Sequence, residues 1–209
     1  MTTMIYDFDK DEKRTARKKL LIKILIWIAE IVAVIFLAYF IVFYALEKTN
    51  VVGASMEPTL KNEDSIIVNK FSYRFTKPKR FDVIVFKQRG REHSYYNVKR
   101  IIGLPGETIQ IKDDKFYING KVYEDPVNAD PMTNYGLATE EMKLEENEYF
   151  VLGDNRNNSE DSRFASVGTI SREEIVGQAF LRLKPFDFIS QLNLKKNQPD
   201  VTTTPTPTP

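Results

Sequence analysis

A long uninterrupted run of apolar residues near the N-terminus dominates the hydrophobic pattern of this chain. Residues 24–46 read ILIWIAEIVAVIFLAYFIVFYAL, and Glu30 is the one charged residue in that run. A helix rises about 1.5 Å per residue, so this run would span about 35 Å, more than the hydrocarbon core of about 30 Å. The pattern therefore predicts a transmembrane helix, which we assign to residues 20–46.

Basic residues cluster on the N-terminal side of the apolar run, at Lys13, Arg14 and residues 17–19. The positively charged flank of a membrane helix usually faces the cytoplasm. We therefore expect residues 1–19 to be a cytoplasmic tail and the chain after residue 46 to be extracytoplasmic. A cleavable signal peptide has a shorter apolar core and a small-residue cleavage site. Ala45-Leu-Glu-Lys48 offers no such site, so we expect an uncleaved anchor in the cell membrane.

After the apolar run the pattern changes to short segments of β-branched and aromatic residues separated by turns. These segments predict strands over residues 65–70, 81–87, 95–102, 108–111, 148–152 and 175–183. Asn119-Gly120 predicts a type I′ turn in a hairpin over Lys115–Tyr123. Residues 71–80 and 124–143 are expected to be irregular, and Ser171 with Glu174 suggests a capped helical turn.

This pattern predicts a mostly β protein, with an antiparallel β domain over residues 47–195 preceded by one N-terminal transmembrane helix. The Thr/Pro-rich segment 196–209 has too few apolar residues to pack a core, and we expect it to be disordered.

Composition narrows the chemistry. The chain has 30 Lys and Arg residues against 29 Asp and Glu residues, so its overall charge does not indicate nucleic acid as a partner. It has no cysteine and one histidine, His93, which excludes thiolate or His-rich metal sites and a cysteine nucleophile. We expect no metal and no cofactor.

Three stretches carry polar or charged residues that packing of a β domain does not require. They are the turn Gly53-Ala-Ser-Met-Glu-Pro-Thr-Leu60, the segment Val98-Lys-Arg-Ile-Ile-Gly103, and the loop Gly153-Asp-Asn-Arg-Asn-Asn-Ser-Glu-Asp-Ser-Arg163. Each alone has an ordinary explanation, as a turn serine, a surface lysine or a solvated loop. Together they supply the components of a serine–lysine hydrolase, because a lysine that is kept neutral can act as a base. Burial can lower a lysine pKa from about 10.4 by up to about 3–5 units.

The neighbours of Lys99 suit this chemistry. Val98, Ile101 and Ile102 are apolar, and strand alternation is expected to place Lys99 and Arg100 on opposite faces. Arg100 would then be able to bridge to carboxylates of the 153–163 loop. Other sites fit less well: His93 lies in a charged turn, and Asp154–Asp161 has Arg156 and Ser159 where an EF-hand needs a ligand and a glycine.

The three stretches, extended to Tyr96-Asn-Val-Lys-Arg-Ile-Ile-Gly-Leu-Pro-Gly106, resemble those of bacterial type I signal peptidase (leader peptidase) in order, in spacing and in following an anchor. The likeness covers about residues 15–185 and is greatest to the short form typical of Gram-positive bacteria. It implies a signal-peptidase/LexA-like β fold.

The resemblance implies roles for individual residues. Ser55 would be the nucleophile, with its backbone N–H facing the oxyanion, and Lys99 would be the general base. Ser159 would orient the lysine amine. Structural support would come from Arg100, Asp154, Arg156, Asp161 and Arg163. Some relatives have a serine two positions before the nucleophile as a further oxyanion donor, whereas this chain has Gly53 there.

The resemblance also implies the substrate. The family cleaves signal peptides from preproteins after small residues, typically Ala-x-Ala, and the substrate would add to the sheet as an extended strand. Shallow apolar pockets would be formed by Val51, Val52, Met56, Leu60, Ile66 and Val98. The bilayer and preproteins are the expected partners, with the secretion translocon nearby.

Our leading hypothesis is therefore a membrane-bound serine endopeptidase that removes signal peptides. One alternative is a self-cleaving Ser/Lys peptidase of the repressor type, against which the anchor argues. The other is a catalytically idle, membrane-tethered β module that binds extended peptides.

Overall fold

A computed structural model of the chain describes residues 2–88, 96–125 and 127–189. Residues 89–91, which the motif Arg-Gly-Arg marks as a turn, lie outside the described residues, as do His93 and the segment 196–209. The described chain divides into two units, Met1–Ala45 and Leu46–Pro209.

The first unit is a single helix, α1 (Thr2–Ala45). Its segment Arg14–Ala45 is long and apolar enough to cross a membrane, and an 18-residue window within it has a mean hydropathy of 2.7. The helix begins far before residue 20, because the polar segment ahead of the apolar run is rich in lysine and arginine, which are good helix formers. It ends at Ala45, one residue before the predicted boundary at Leu46.

The second unit is built from short strands. They are β1 (Leu46–Asn50), β2 (Ser65–Asn69), β3 (Val83–Phe86), β4 (Asn97–Gly103), β5 (Thr108–Lys112), β6 (Lys115–Ile118), β7 (Lys121–Glu124), β8 (Met142–Lys143), β9 (Glu148–Leu152), β10 (Ile170–Ser171), β11 (Ile175–Leu183) and β12 (Phe186–Phe188). A short helix, α2 (Ser72–Phe75), and 3₁₀ turns at Gly136–Thr139 and Arg172–Glu174 complete the described elements.

These strands form two antiparallel sheets. The larger has the order β1-β2-β11-β3-β4-β9-β10, with β12 paired to β11, and the smaller has the order β7-β6-β5-β8. The predicted fold class, a mostly antiparallel β domain after one N-terminal apolar helix, is confirmed. The strands predicted over residues 81–87 and 95–102 pair with each other, since Ile84 and Lys99 lie opposite each other in β3 and β4.

Local turn chemistry accounts for the clearest hairpin. Asn119 and Gly120 have φ angles of 53° and 73° between β6 and β7, as the predicted type I′ turn requires. The sequence pattern missed β1, β8, β10, β12 and α2. Each is only two to five residues long, which is too short to show an apolar period. Asn69 ends β2 and starts α2, because its side-chain oxygen accepts the N–H groups of Phe71 and Ser72, both at 3.0 Å.

Strand β4 is central to the packing. It lies between β3 and β9, and its residues Val98, Ile101 and Ile102 belong to three different apolar clusters. Every residue of β4 from Val98 to Gly103 is buried. Lys99 and Arg100 are therefore both removed from water, with exposed fractions of 5% and 0%. This burial is the feature of the fold that defines the candidate site.

Candidate active site

The turn that carries Ser55 is fastened at both ends. Val51, ahead of the serine, pairs with residues that follow the turn. Its N–H donates to Asp64 O, and its carbonyl oxygen accepts the N–H of Glu63, each at 2.9 Å. The N–H of Gly53, whose φ is +89°, donates to Asn62 Oδ1 at 2.8 Å. Met56 on the other side of the serine is fully buried. The sequence therefore presents Ser55, which is only partly buried, on a fixed backbone.

The side chain of Lys99 meets Ser55. The distance from Lys99 Nζ to Ser55 Oγ is 2.6 Å, a short hydrogen bond between residues 44 positions apart in the chain. Lys99 reaches the serine from the middle of β4, where the backbone is held by pairing on both sides. The nucleophile and base types that the sequence singled out are thus in direct contact.

Burial also changes the acidity of this lysine. It lowers the pKa of Lys99 to about 8 from an ordinary value of 10.5, against the opposing influence of the acidic groups of Asp161, Glu160 and Asp154. At a pH near this value a large fraction of the amine is neutral and has a free lone pair. A neutral amine at 2.6 Å from a hydroxyl can accept its proton.

A network of buried ion pairs lies beside this contact. Arg100 and Asp154 form a bidentate pair with distances of 2.8 and 2.6 Å, and both side chains have exposed fractions of 0%. Thr59, in the Ser55 turn, donates its hydroxyl to Asp154 at 2.5 Å. The pairing predicted between Arg100 and a carboxylate of the 153–163 loop is therefore present, and it also ties the loop to the turn.

Two further bidentate pairs fix the rest of the loop. Arg163 holds Asp161 at 2.8 and 2.9 Å, and Asp161 also accepts the N–H of Gly153 at 3.1 Å. Arg156 holds Asp125, in the segment after β7, at 2.7 and 2.6 Å. Charged hydrogen bonds of this length in a buried setting are strong, and they give the loop one conformation.

The loop contacts the serine through its backbone. Asn155 donates its N–H to Ser55 O at 3.0 Å and its side-chain amide to Ala54 O at 3.1 Å. Gly153 passes so close that an added Cβ would lie 2.4 Å from Ser55 O and 2.2 Å from Ser159 Oγ. Glycine is needed here because of this close approach, and the loop can therefore support the Ser55 turn directly.

The comparisons with known proteins agree with this geometry. The family model described as "Signal peptidase, peptidase S26" matches residues 24–184. The chain belongs to this family. Signal peptidase I P of Bacillus subtilis subsp. natto is 35% identical over 189 residues, which are 87% of this chain and 97% of that protein.

Two further relatives extend the comparison. Signal peptidase I T of Bacillus subtilis is 35% identical over 195 residues, covering 90% of this chain and 99% of that protein. Probable signal peptidase I-2 of Synechocystis is 37% identical over 159 residues, which are 74% of this chain and 70% of that protein. The resemblance drawn from the three motifs is confirmed, including the short Bacillus-like form. The chain is a serine peptidase of the signal peptidase family.

The structure differs from the sequence prediction at Ser159. The Ser159 hydroxyl is buried and has no hydrogen-bond partner among the described residues, so the predicted bond to the lysine amine is not formed. The hydroxyl lies instead against the backbone of Gly153. Ser159 is therefore next to the signal peptidase site, but its orienting contact with Lys99 is absent in this conformation.

The predicted substrate pockets also need correction. The side chains of Met56, Leu60 and Ile66 have exposed fractions of 0% and pack in one core cluster, which also contains Val51 and Val98. They close on one another because each lies on an element that faces the same apolar interior. Val52 differs, since 71% of its surface is exposed. Of the six predicted pocket residues, Val52 is the one that presents an open apolar surface.

Sequence reasoning missed several residues that build the site. Asp125 neutralises Arg156, which lies 31 residues away in the sequence. Thr59 donates a hydrogen bond to Asp154, which lies 95 residues away. Nothing in the local sequence marks either residue. Gly153 and Asn155 had a weak signal, since a glycine at the end of a strand can indicate a close backbone approach.

Proposed function

We propose that this chain is a membrane-bound serine endopeptidase that cleaves N-terminal signal peptides from exported preproteins. Ser55 acts as the nucleophile and Lys99 as the general base. Cleavage follows small residues in an Ala-x-Ala pattern. This proposal combines the chemistry of the site with the similarity of the chain to proteins named signal peptidase I.

One observation carries the catalytic part of the proposal, namely the 2.6 Å contact between Lys99 Nζ and Ser55 Oγ with the lysine buried. Lys99 takes the hydroxyl proton as Ser55 Oγ attacks the scissile carbonyl carbon. The resulting ammonium then donates that proton to the leaving amine when the peptide bond breaks. A water molecule, deprotonated by the same amine, hydrolyses the acyl-serine ester and restores the hydroxyl.

The backbone supports the stabilisation of the oxyanion. Among the described residues, the Ser55 N–H donates no backbone hydrogen bond, so it is free to donate to a developing negative oxygen. The Gly53 N–H is already used by Asn62 Oδ1. Gly53 therefore contributes neither a side-chain hydroxyl nor a free N–H in this conformation. Another backbone N–H or a water molecule would have to supply a second donor.

The buried charges fit a supporting role. Arg100, Asp154, Arg156, Asp161 and Arg163 are all paired, so none of them has an uncompensated charge to offer to a substrate. Their contacts instead hold the loop that carries Asn155 and Gly153 against the Ser55 backbone. Ser159 completes this proposal if its hydroxyl rotates from Gly153 toward the lysine amine when the substrate is bound.

The helix supports attachment to a membrane. The apolar side chains that the structure describes in α1 between Leu20 and Tyr44 are exposed, for example Leu25 at 64% and Val34 at 66%, as expected for a surface that faces lipid. With basic residues at its N-terminal end, the N-terminus is cytoplasmic and the β domain extracytoplasmic. The helix makes a single pass through the cell membrane. The substrate would then be a signal peptide that emerges near the translocon.

The direct test is cleavage of a preprotein by the full-length protein in detergent. Both Ser55→Ala and Lys99→Met should lower kcat/KM by about 10³-fold or more, because each removes a group that the reaction cannot replace. Lys121→Ala serves as the matched lysine control, since Lys121 is exposed in β7. Wild-type rates in either active-site variant would exclude this mechanism, and intact preprotein in the wild-type reaction would exclude the proposed function.

A further inference from the structure

A polar cleft of about 330 Å³ lies beside the Ser55 turn. Glu57 and Pro58, which closely follow the serine in the sequence, line one part of it, and Asn155 lines another. Asn155 is the residue that holds the carbonyl groups of Ser55 and Ala54. The cleft therefore adjoins the turn that carries the proposed nucleophile, although Ser55 itself does not line it.

The remaining walls come from the segment after β7 and from the loop after β9. Asn128, Ala129 and Asp130 belong to the first, and Asp154, Arg156 and Asn157 to the second. Asn157 connects the two segments, because its side chain bonds to Thr133 N–H at 2.9 Å and to Pro131 O at 2.9 Å. The cleft thus has a defined shape rather than being a gap between loose loops.

Some charged side chains around this cleft are already paired, and others are available to a ligand. Asp154 and Arg156 are buried, and each already has a bidentate partner, in Arg100 and Asp125 respectively. Glu57 is partly buried and Asp130 is exposed. Among the described residues, neither carboxylate makes a hydrogen bond or an ion pair with another side chain. The charge that the cleft offers to a ligand is therefore negative.

We propose, resting on the proposed function, that this cleft binds the substrate residues that follow the scissile bond and favours positive over negative side chains there. An extended chain advances about 3.3 Å per residue, so the second and third residues after the bond reach a wall formed close to Ser55. The residues before the bond are small and apolar, and they match the apolar side of the turn around Val52. A cleft lined with carboxylates and amides is suited to the polar residues at the start of the mature protein, which the cleavage releases.

The experiment compares peptides with an identical Ala-x-Ala segment before the bond and Lys, Gln or Glu at the second and third positions after it. The full-length protein in detergent should cleave the Lys peptide with a kcat/KM about threefold to tenfold above that of the Glu peptide at low salt. The ratio should decrease as ionic strength rises, because the two carboxylates are open to solvent.

The double variant Glu57→Gln/Asp130→Asn should bring this ratio close to unity, and Asp130→Lys should reverse the preference. The matched control is Glu140→Gln/Glu146→Gln, which removes two exposed carboxylates that do not line the cleft and should leave the ratio unchanged. Circular dichroism of each variant verifies its fold.

Equal cleavage of all three peptides by the wild type would overturn the inference and leave the proposed function intact. An unchanged ratio in Glu57→Gln/Asp130→Asn would also overturn it, as would a preference that follows residues before the bond. Failure of the wild type to cleave any of the peptides, together with failure on a preprotein, would instead overturn the proposed function itself.

Discussion

Lys99 and Arg100 are consecutive residues of β4, and their charges are accommodated in opposite ways. Arg100 is fully buried and satisfied by a bidentate pair with Asp154 and by Phe81 O at 3.0 Å. Lys99 is almost as buried, yet its amine contacts a neutral hydroxyl, that of Ser55. Among the described residues no carboxylate lies within ion-pair distance of the Lys99 amine.

Acid–base chemistry explains the difference. A guanidinium stays protonated in proteins, so a buried arginine must be paired and can then serve only as structure. An amine can lose its proton, so a buried lysine without a close carboxylate is tolerated partly as the neutral base. The comparison separates a charge that is paired within the fold, that of Arg100, from a charge that burial disfavours, that of Lys99, the proposed base.

The largest effect in this comparison is expected from Arg100→Met. The variant leaves the Asp154 carboxylate buried without its main partner, which should lower the free energy of unfolding by about 3–5 kcal/mol. Chemical denaturation followed by circular dichroism measures this change. Adding Asp154→Leu removes both charges and should recover part of the loss. A cost below about 1 kcal/mol for Arg100→Met would mean that the pair behaves like an exposed one.

A smaller effect of the opposite sign is expected from Lys99→Met. Lowering the pKa from 10.5 to about 8 means that the charged amine costs the folded state about 3 kcal/mol below pH 8, at about 1.36 kcal/mol per pKa unit. Methionine has a similar length without the charge, so this variant should be inactive and more stable by up to that amount at pH 7.

The pH dependence of this gain identifies its cause. Between pH 8 and 10.5 the unfolded protein binds more protons at Lys99 than the folded protein does, so wild-type stability rises through this window. The advantage of Lys99→Met should therefore be lost toward pH 10.5. Lys121→Met, in exposed β7, controls for the general effect of losing a lysine. A loss of stability in Lys99→Met would remove the contrast with Arg100.

How far the sequence alone predicted this molecule depends on the distance over which each contact acts. Longer strands and the Asn119-Gly120 turn follow from local patterns, and Ser55 and Lys99 could be linked because residue types and motifs marked them. Strand alternation predicts opposite faces for Lys99 and Arg100, but it does not predict that both are buried, which follows from the packing of β4 on both faces. The Arg156–Asp125 pair spans 31 residues, and no local pattern specifies such a contact.

The smallest expected effect concerns the rate of cleavage as pH changes, and it tests Lys99 alone. The folded amine has a pKa of about 8, so its neutral fraction, and with it kcat/KM, should rise about fivefold between pH 7 and pH 8 and then level off. The direction follows from the role of a base, which is active only after it has lost its proton. The acidic limb of the profile therefore reports on Lys99 as the base. A rate that stays constant from pH 6 to pH 9, with binding and fold unchanged, would show that Lys99 does not act as the base. Lys99 and Arg100 would then differ in the groups that they contact, but neither would act in the reaction.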